Sequence, residues 1–139
     1  MPDLERISIS LEKTLARKLE GLVKDSSYEN RSEFVRDLIR HELVQKEWDT
    51  STAEVIGTVT LLYDHHQRDL QGRLTDIQHD HHHHVLATTH VHLDHHLCAE
   101  MIMLKGPALT LRKLADALRK EKGVLHAALS VGSTGKSLR

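Results

Sequence analysis

The residues best suited to chemistry in this chain are its histidines, which number 13 in 139 residues. Eleven of them lie between His65 and His96. Neutral imidazole is the commonest side-chain metal ligand in proteins, and a tract that concentrates imidazoles is typical of metal binding. The segment from His65 to His96 is therefore a candidate metal-binding region.

The most specific arrangement in that region combines His90, His92 and Cys98. The two histidines fall in a segment with strand character, where side chains two residues apart point to the same face, roughly 7 Å apart. Cys98 follows across a short predicted turn, which returns the chain antiparallel and brings the thiol beside the imidazoles. His79, at the end of the preceding predicted helix, is a candidate fourth ligand.

This donor set of three nitrogens and one sulfur suits nickel, copper, zinc or cobalt. Ligand type alone does not choose among these ions, because a tetrahedral arrangement favours zinc and a planar one favours nickel(II) or copper(II). The other histidines of the region are candidates for weaker auxiliary sites or for ordinary solvated positions; they are His65, His66, His81 to His84, His95 and His96.

A catalytic role has little support in the sequence. A catalytic metal needs an open coordination position and a general acid or base beside it. Asp80 and Asp94 lie in the histidine region, but the chain contains no H-E-x-x-H pattern, no glycine-rich phosphate loop and no motif around a Ser or Cys nucleophile. We therefore expect a metal-binding protein that is not an enzyme.

The composition limits the kinds of binding partner and the cellular compartment that we expect for this protein. The net charge of −1 and the pI near 6.9 exclude a generally basic chain that coats nucleic acid by charge alone. The single cysteine cannot form an intramolecular disulfide, and with the lack of a signal segment it predicts a cytoplasmic protein. No apolar run reaches the roughly 20 residues of a membrane span, so we expect no membrane association.

The elements that position these residues form two modules. In the first, alternating apolar and polar residues predict a strand over residues 5–11, and apolar stripes predict a helix over 12–25 and a second helix that ends near residue 48. Asn30 and Ser32 are candidate N-caps of that second helix. A lone strand needs a partner for its backbone groups, so we expect an obligate dimer that pairs two copies of it.

The second module follows a short hinge at residues 47–53. Its pattern predicts the order strand, helix, strand, strand, helix, strand, which is the ferredoxin-like arrangement. The predicted strands cover 54–63, 85–93, 97–104 and 124–131, and the predicted helices cover 66–79 and a segment that contains Leu111 to Leu118 and closes at Gly123. The sequence thus predicts an α+β protein with domains at residues 1–48 and 54–132.

The first module has a candidate DNA-reading surface. Two copies of the first strand would form an antiparallel ribbon whose exposed face carries Arg6, Ser8 and Ser10. A β-ribbon fits the major groove, where Arg and Ser donate to base edges. The same three residues would also suit the solvated side of an edge strand, but the helix pair and the Asn30–Glu33 turn favour a ribbon-helix-helix module of the structural class of the Arc and MetJ repressors.

The whole chain resembles the NikR family of nickel-responsive regulators. The resemblance extends nearly from end to end, and its most specific part is the segment from His90 to Cys98. The matching stretches are Arg6-Ile-Ser-Ile-Ser10, Tyr28-Glu-Asn-Arg-Ser-Glu33, Tyr63-Asp-His-His-Gln-Arg-Asp69, His79 with the histidine run after it, and His90-Val-His-Leu-Asp-His-His-Leu-Cys98.

The resemblance implies a homotetramer, in which two ribbon-helix-helix dimers flank four ACT-like regulatory domains. It implies one Ni(II) per subunit in a planar site, bound by His90, His92 and Cys98 of one subunit and by His79 of its neighbour. The implied function is a nickel-dependent repressor that binds operator DNA and controls nickel uptake. The histidine-rich segment leaves an alternative open, a cytoplasmic nickel storage or delivery protein.

The resemblance also places residues of the first module. Arg6, Ser8 and Ser10 take the positions of the base-reading residues. Arg31 lies near the start of the second helix, where helix N-termini favour anions, and we expect it to contact DNA phosphate. Glu33 and Asp37, four residues apart, match a second cation site at the interface between the two domain types, although such a pair is also common on helix surfaces.

Overall fold

A computed structural model of the chain describes residues 3–50 and 52–139. Residues 1, 2 and 51, which fall within the predicted DNA-binding domain and the predicted hinge, lie outside the described residues. The chain divides into two compact units, Met1–Arg40 and His41–Arg139. The division falls inside the second helix of the chain, ahead of the predicted hinge.

The first unit contains helix α1 (Lys13–Asp25) and the beginning of helix α2 (Arg31–Asp49). Asn30 precedes α2, and its side-chain oxygen accepts a hydrogen bond from the N–H of Glu33 at 3.0 Å. This bond satisfies one of the unpaired N–H groups of the first helical turn. Of the two candidate caps, Asn30 therefore caps α2, whereas Ser32 lies inside the helix.

The strand predicted over residues 5–11 is not formed in the single chain, where residues 3–12 have no regular secondary structure. Ile7 and Ile9, which alternate with Arg6, Ser8 and Ser10 in the predicted strand, are 70% and 65% exposed. The physical reason is that a strand exists only through hydrogen bonds to a second strand. The alternating pattern thus indicates a segment that forms a β-strand only when a partner strand is present.

The second unit has the predicted βαββαβ order, and the expected ferredoxin-like fold class is confirmed. Its four strands pair antiparallel in the order β2-β3-β1-β4. The elements are β1 (Glu54–Asp64), α3 (Leu70–Asp80), β2 (Val85–His92), β3 (Leu97–Pro107), α4 (Ala108–Arg119) and β4 (Val124–Val131). The observed bounds differ from the predicted ones mainly at α3, which begins at residue 70 instead of 66.

The core of the second unit lies between one face of the sheet and the two helices. Every second residue of β1 and β3 is buried, as the period of a strand with one covered face requires. The largest buried side chains of this core are those of Tyr63, Leu61, Leu70, Leu74, Ile102, Leu104, Leu111, Leu114 and Leu118. The site residues on β2 and β3 are therefore attached to a well-packed sheet.

The hinge predicted over 47–53 is wrong at its beginning, because residues 47–49 form the last turn of α2. Trp48 is only 2% exposed, and its indole N–H donates to the carbonyl of Gly132 at 2.8 Å. Gly57 on β1 leaves room for the ring, since a Cβ there would lie 2.9 Å from a ring carbon. The sequence pattern missed this contact because it joins residues far apart in the chain.

Two glycines of the second unit are expected to respond oppositely to alanine. Gly123 has φ +104°, and a Cβ there would lie 2.6 Å from Gln67 Cγ. Gly123→Ala should therefore lower the free energy of unfolding by roughly 1–3 kcal/mol. Gly72 lies inside α3 with open space around it, so Gly72→Ala should raise the free energy of unfolding by about 0.5–1 kcal/mol.

Thermal and urea unfolding of the two variants beside the unmodified protein would measure both effects. A Gly123→Ala variant as stable as the unmodified protein would contradict the strained conformation at that position.

Candidate metal centre

A tight turn between β2 and β3 sets the position of the candidate ligands His92 and Cys98, which stand directly opposite each other in the strand pairing. Asp94 holds this turn, since one of its carboxylate oxygens accepts the N–H groups of His96 and Leu97, each at 2.7 Å. The N–H of Leu97, followed by that of His96, lowers the pKa of Asp94. The turn is therefore braced by an ionised carboxylate.

The thiol sulfur of Cys98 lies 3.3 Å from Nδ1 of His92. Adjacent donor atoms bound at 2.0–2.3 Å to one ion are separated by roughly 3–3.5 Å, so this pair is spaced to share a metal. His65 completes a group of three, because one ligand atom from each residue lies within 4.8 Å of the others. The donor set of imidazole nitrogen and thiol sulfur fits a late first-row divalent ion.

The sequence indicates His65 only as an auxiliary candidate, yet His65 lies beside His92 and Cys98. Its backbone N–H donates to the carbonyl of His96 at 2.9 Å, and its Nδ1 lies 3.1 Å from the same oxygen. A carbonyl can only accept, so Nδ1 carries the proton and Nε2 remains available to a metal. Asp64, His65 and His66 form a second group of nearby donors that shares this residue.

The signal that could have found His65 is the strand order. Tyr63, two residues earlier, stands opposite Cys98 across the β1–β3 pairing. The sequence predicts the β2–β3 hairpin from its short turn. The predicted ferredoxin-like arrangement also makes β1 the other neighbour of β3, but His65 falls just after the predicted strand 54–63, so strand pairing alone does not place its side chain.

His90 contacts a polar pair next to the group of three. Its Nδ1 lies 3.2 Å from the Tyr63 hydroxyl and 3.6 Å from a carboxylate oxygen of Glu100. Because both groups face Nδ1, Nε2 is the nitrogen left for a metal. The ring centroid of His90 lies 5.1 Å from that of His92, which is close enough for both rings to serve one site.

Burial controls the protonation of the groups around the site. Burial first, and then the charges of Glu100 and Cys98, raise the pKa of Tyr63 to about 12, so the phenol keeps its proton at neutral pH. Burial also raises the pKa of the Cys98 thiol, helped by the carboxylates of Asp64, Asp94 and Glu100. A metal that binds Cys98 must therefore displace a proton from the thiol.

His79 does not join these groups within the single chain. It is exposed near the end of α3, and its ring lies 6.2 Å from that of His82. The structure of one chain therefore brings together His65, His92 and Cys98, with His90 adjacent, and leaves His79 at the surface.

The candidate DNA-binding residues are all exposed in the first unit. Arg6, Ser8 and Ser10 lie in the irregular segment before α1. Arg31 lies in the first turn of α2, where its guanidinium is 2.9 Å from the carboxylate of Glu20 on α1. This ion pair is solvent-exposed, so it is a weak competitor for a phosphate.

The candidate second cation residues Glu33 and Asp37 line a shallow cleft of about 220 Å³ together with Tyr28, Arg36 and Arg40. The Asp37 carboxylate accepts a hydrogen bond from the Tyr28 hydroxyl, which raises the pKa of Tyr28. The two arginines balance the two carboxylates in charge. Within the first unit the cleft is therefore a mixed polar surface.

The Asp94 turn provides a test of the metal centre. Asp94→Ala removes the acceptor for both N–H groups, so it should loosen the alignment of His92 with Cys98 and weaken metal binding about 10- to 100-fold, as loss of supporting hydrogen bonds does at other metal sites. Asp94→Asn keeps a side-chain oxygen and should bind nearly as well as the unmodified protein. Competition titrations with a chelator would measure this, and equal affinities for the two variants would contradict the role of the turn.

A solved structure of an uncharacterised protein from Thermotoga maritima matches 56% of this chain and 96% of its own, with a TM-score of 0.51 and 12% identity, a similarity of fold alone. In the described ranges 3–50 and 52–139, no helix is both long and apolar enough to cross a membrane.

Family comparisons are more specific. Residues 56–131 match the NikR C-terminal nickel-binding domain, and residues 5–46 match the ribbon-helix-helix proteins of the CopG family. Relatives from Nitratidesulfovibrio vulgaris (49% identity, covering 96% of both chains) and Syntrophus aciditrophicus (48%, covering 98% of both) have names that describe nickel-responsive regulators. Because these matches extend along nearly the whole chain, it belongs to the NikR family of transcriptional regulators, which is not a family of enzymes.

Proposed function

We propose that this protein is a nickel-dependent, sequence-specific repressor that controls genes of nickel uptake. The observation that carries the proposal is the Cys98 sulfur 3.3 Å from His92 Nδ1, inside a nickel-binding domain that follows a ribbon-helix-helix domain. The named relatives support the nickel response, and the ribbon-helix-helix domain supports DNA binding.

The proposed site holds one Ni(II) per subunit, bound by His90, His92 and Cys98 of one subunit and by His79 of a neighbouring subunit. The position of His79 at an exposed helix end supports a role across an interface. A bound nickel ion would supply a rigid link between ligands of two subunits. The proposed assembly is a homotetramer of two ribbon-helix-helix dimers.

The proposed DNA contacts come from the first unit. Paired segments of two chains would present Arg6, Ser8 and Ser10 to base edges in the major groove, and Arg31 would contact phosphate. The exposure of all four residues supports this assignment. Glu33 and Asp37 would hold a second cation only when further ligands from another domain join them, because Arg36 and Arg40 share their cleft.

A nickel storage or delivery protein is the second candidate function. The rings of His82 and His83 are exposed, with centroids 3.9 Å apart. His81, His82 and His84 each place Nδ1 within hydrogen-bond distance of a backbone carbonyl, which leaves Nε2 free. Such rings could hold loosely bound ions in addition to the main site.

Fluorescence anisotropy with genomic DNA fragments, with and without Ni(II), separates the two functions. A repressor should bind one fragment selectively, and only when nickel is present. Absence of selective DNA binding at any nickel concentration, together with binding of several nickel ions per chain, would favour storage and overturn the proposed function.

Nickel binding is expected to depend on pH through Cys98. Because the pKa of the Cys98 thiol is raised, the thiol is protonated at neutral pH. Each nickel ion that binds therefore releases one proton from the thiol. The apparent nickel affinity should therefore rise about tenfold from pH 7 to pH 8. Nickel titrations at several pH values would measure the slope of affinity against pH. Absorption spectra of the same samples would show the thiolate-to-nickel charge-transfer band.

Cys98→Ala should remove both that slope and the charge-transfer band, whereas His126→Ala, a change on β4, should keep both. A Cys98→Ala variant that keeps the affinity and spectrum of the unmodified protein would contradict the proposed ligand set.

Replacement of Arg6 and replacement of Arg31 should change DNA binding in different ways. Arg6→Ala should lose roughly 1–3 kcal/mol of discrimination between operator and random DNA, the contribution of one bidentate base contact. Arg31→Ala should weaken binding to both DNAs alike and reduce the salt dependence by about one counterion. Anisotropy titrations at several salt concentrations would measure both, and equal losses on operator and random DNA for Arg6→Ala would reassign it to phosphate.

A further inference from the structure

Trp48 is the only tryptophan of the chain, and it is held from three sides within the second unit. Its N–H donates to the carbonyl of Gly132, and its ring edge fills the space left by Gly57 on β1. The guanidinium of Arg112 on α4 lies 5.4 Å from the ring centroid, within the range of a cation–π contact. The last turn of α2 is therefore fastened to the sheet.

The contacts of Trp48 with Gly57 and Gly132 both lead to β1. Gly57 belongs to β1, and the N–H of Gly132 donates to the carbonyl of Ile56 at 2.7 Å. The indole therefore contacts β1 directly and also through a residue that is itself bonded to β1. A displacement of this part of β1 would therefore change the contacts of the Trp48 ring.

The opposite end of the same strand belongs to the metal centre. Tyr63 is paired with Cys98 and contacts His90. Tyr63 lies six positions after Gly57 in the chain, which is about 20 Å of extended strand. The strand is central in the sheet, and its backbone is paired with β3 throughout and with β4 up to a register irregularity between Leu62 and Tyr63. Paired backbone therefore connects the candidate ligands to the indole.

We propose that Trp48 is the coupling residue through which a change in β1 on metal binding reaches α2, the helix whose first turn carries Arg31. This inference rests on the proposed nickel-dependent DNA binding. Packed side chains, hydrogen bonds and rigid secondary structure can carry coupling between two distant sites. The sequence predicted a hinge over residues 47–53, but Trp48 within that range attaches the end of α2 directly to the second unit.

The test compares DNA affinity with and without nickel in Trp48→Phe, which lacks the N–H donor and part of the ring. In the unmodified protein, the ratio of the two affinities measures the coupling. Trp48→Phe should bind nickel within about twofold of the unmodified protein but lose at least fivefold of that ratio. A purely structural role would change the unfolding temperature and leave the ratio intact, and that result would overturn the inference.

A second variant keeps the test decisive if Trp48→Phe does not fold. Arg112→Met removes only the exposed guanidinium over the ring and should reduce the same ratio at least twofold. Arg119→Met is the matched control. Arg119 lies on the same helix as Arg112, but it pairs with Asp116 and not with Trp48. Equal ratios for the two arginine variants would overturn the inference, whereas absence of any nickel effect in the unmodified protein would overturn the proposed function itself.

Discussion

The strand register around Cys98 is the constraint on which the candidate site depends. β3 lies between β1 and β2, and the hydrogen-bonded ladders place Tyr63 on one side of Cys98 and His92 on the other. Backbone pairing, not side-chain flexibility, thus assembles the donor atoms. A shift of one residue in either pairing would turn the ligands to the opposite face of the sheet.

The sequence predicts the local parts of this arrangement and misses the long-range ones. The His92–Cys98 pair follows from two strands and a short turn, and the strand Val124–Val131 was predicted with its observed bounds. His65 could not be assigned, because it lies beyond the predicted strand 54–63 and its position depends on a backbone contact with His96, 31 residues later in the chain. Trp48 could not be assigned either, because a single aromatic residue in a polar segment has no periodic pattern that indicates its burial against Gly57.

The candidate metal centre places polar groups where the fold alone would favour apolar ones. Glu100 is 6% exposed on a strand whose other inward residues are mostly apolar. Burial of a carboxylate is costly unless it is hydrogen-bonded, and Gln78 on α3 donates to it at 3.2 Å. Departures from a simple apolar core are expected at functional sites, and here the polar contacts link the sheet to the helix that ends beside His79.

The irregular segment before α1 has a consequence for the protein in the cell. Leu4, Ile7 and Ile9 are exposed in the single chain, and backbone groups without a partner strand are a template for wrong pairing and a target for proteases. Pairing of two chains would remove this hazard, and such stabilisation rises with protein concentration. The segment would then be protected only in paired chains, and the paired fraction would fall as the protein is diluted.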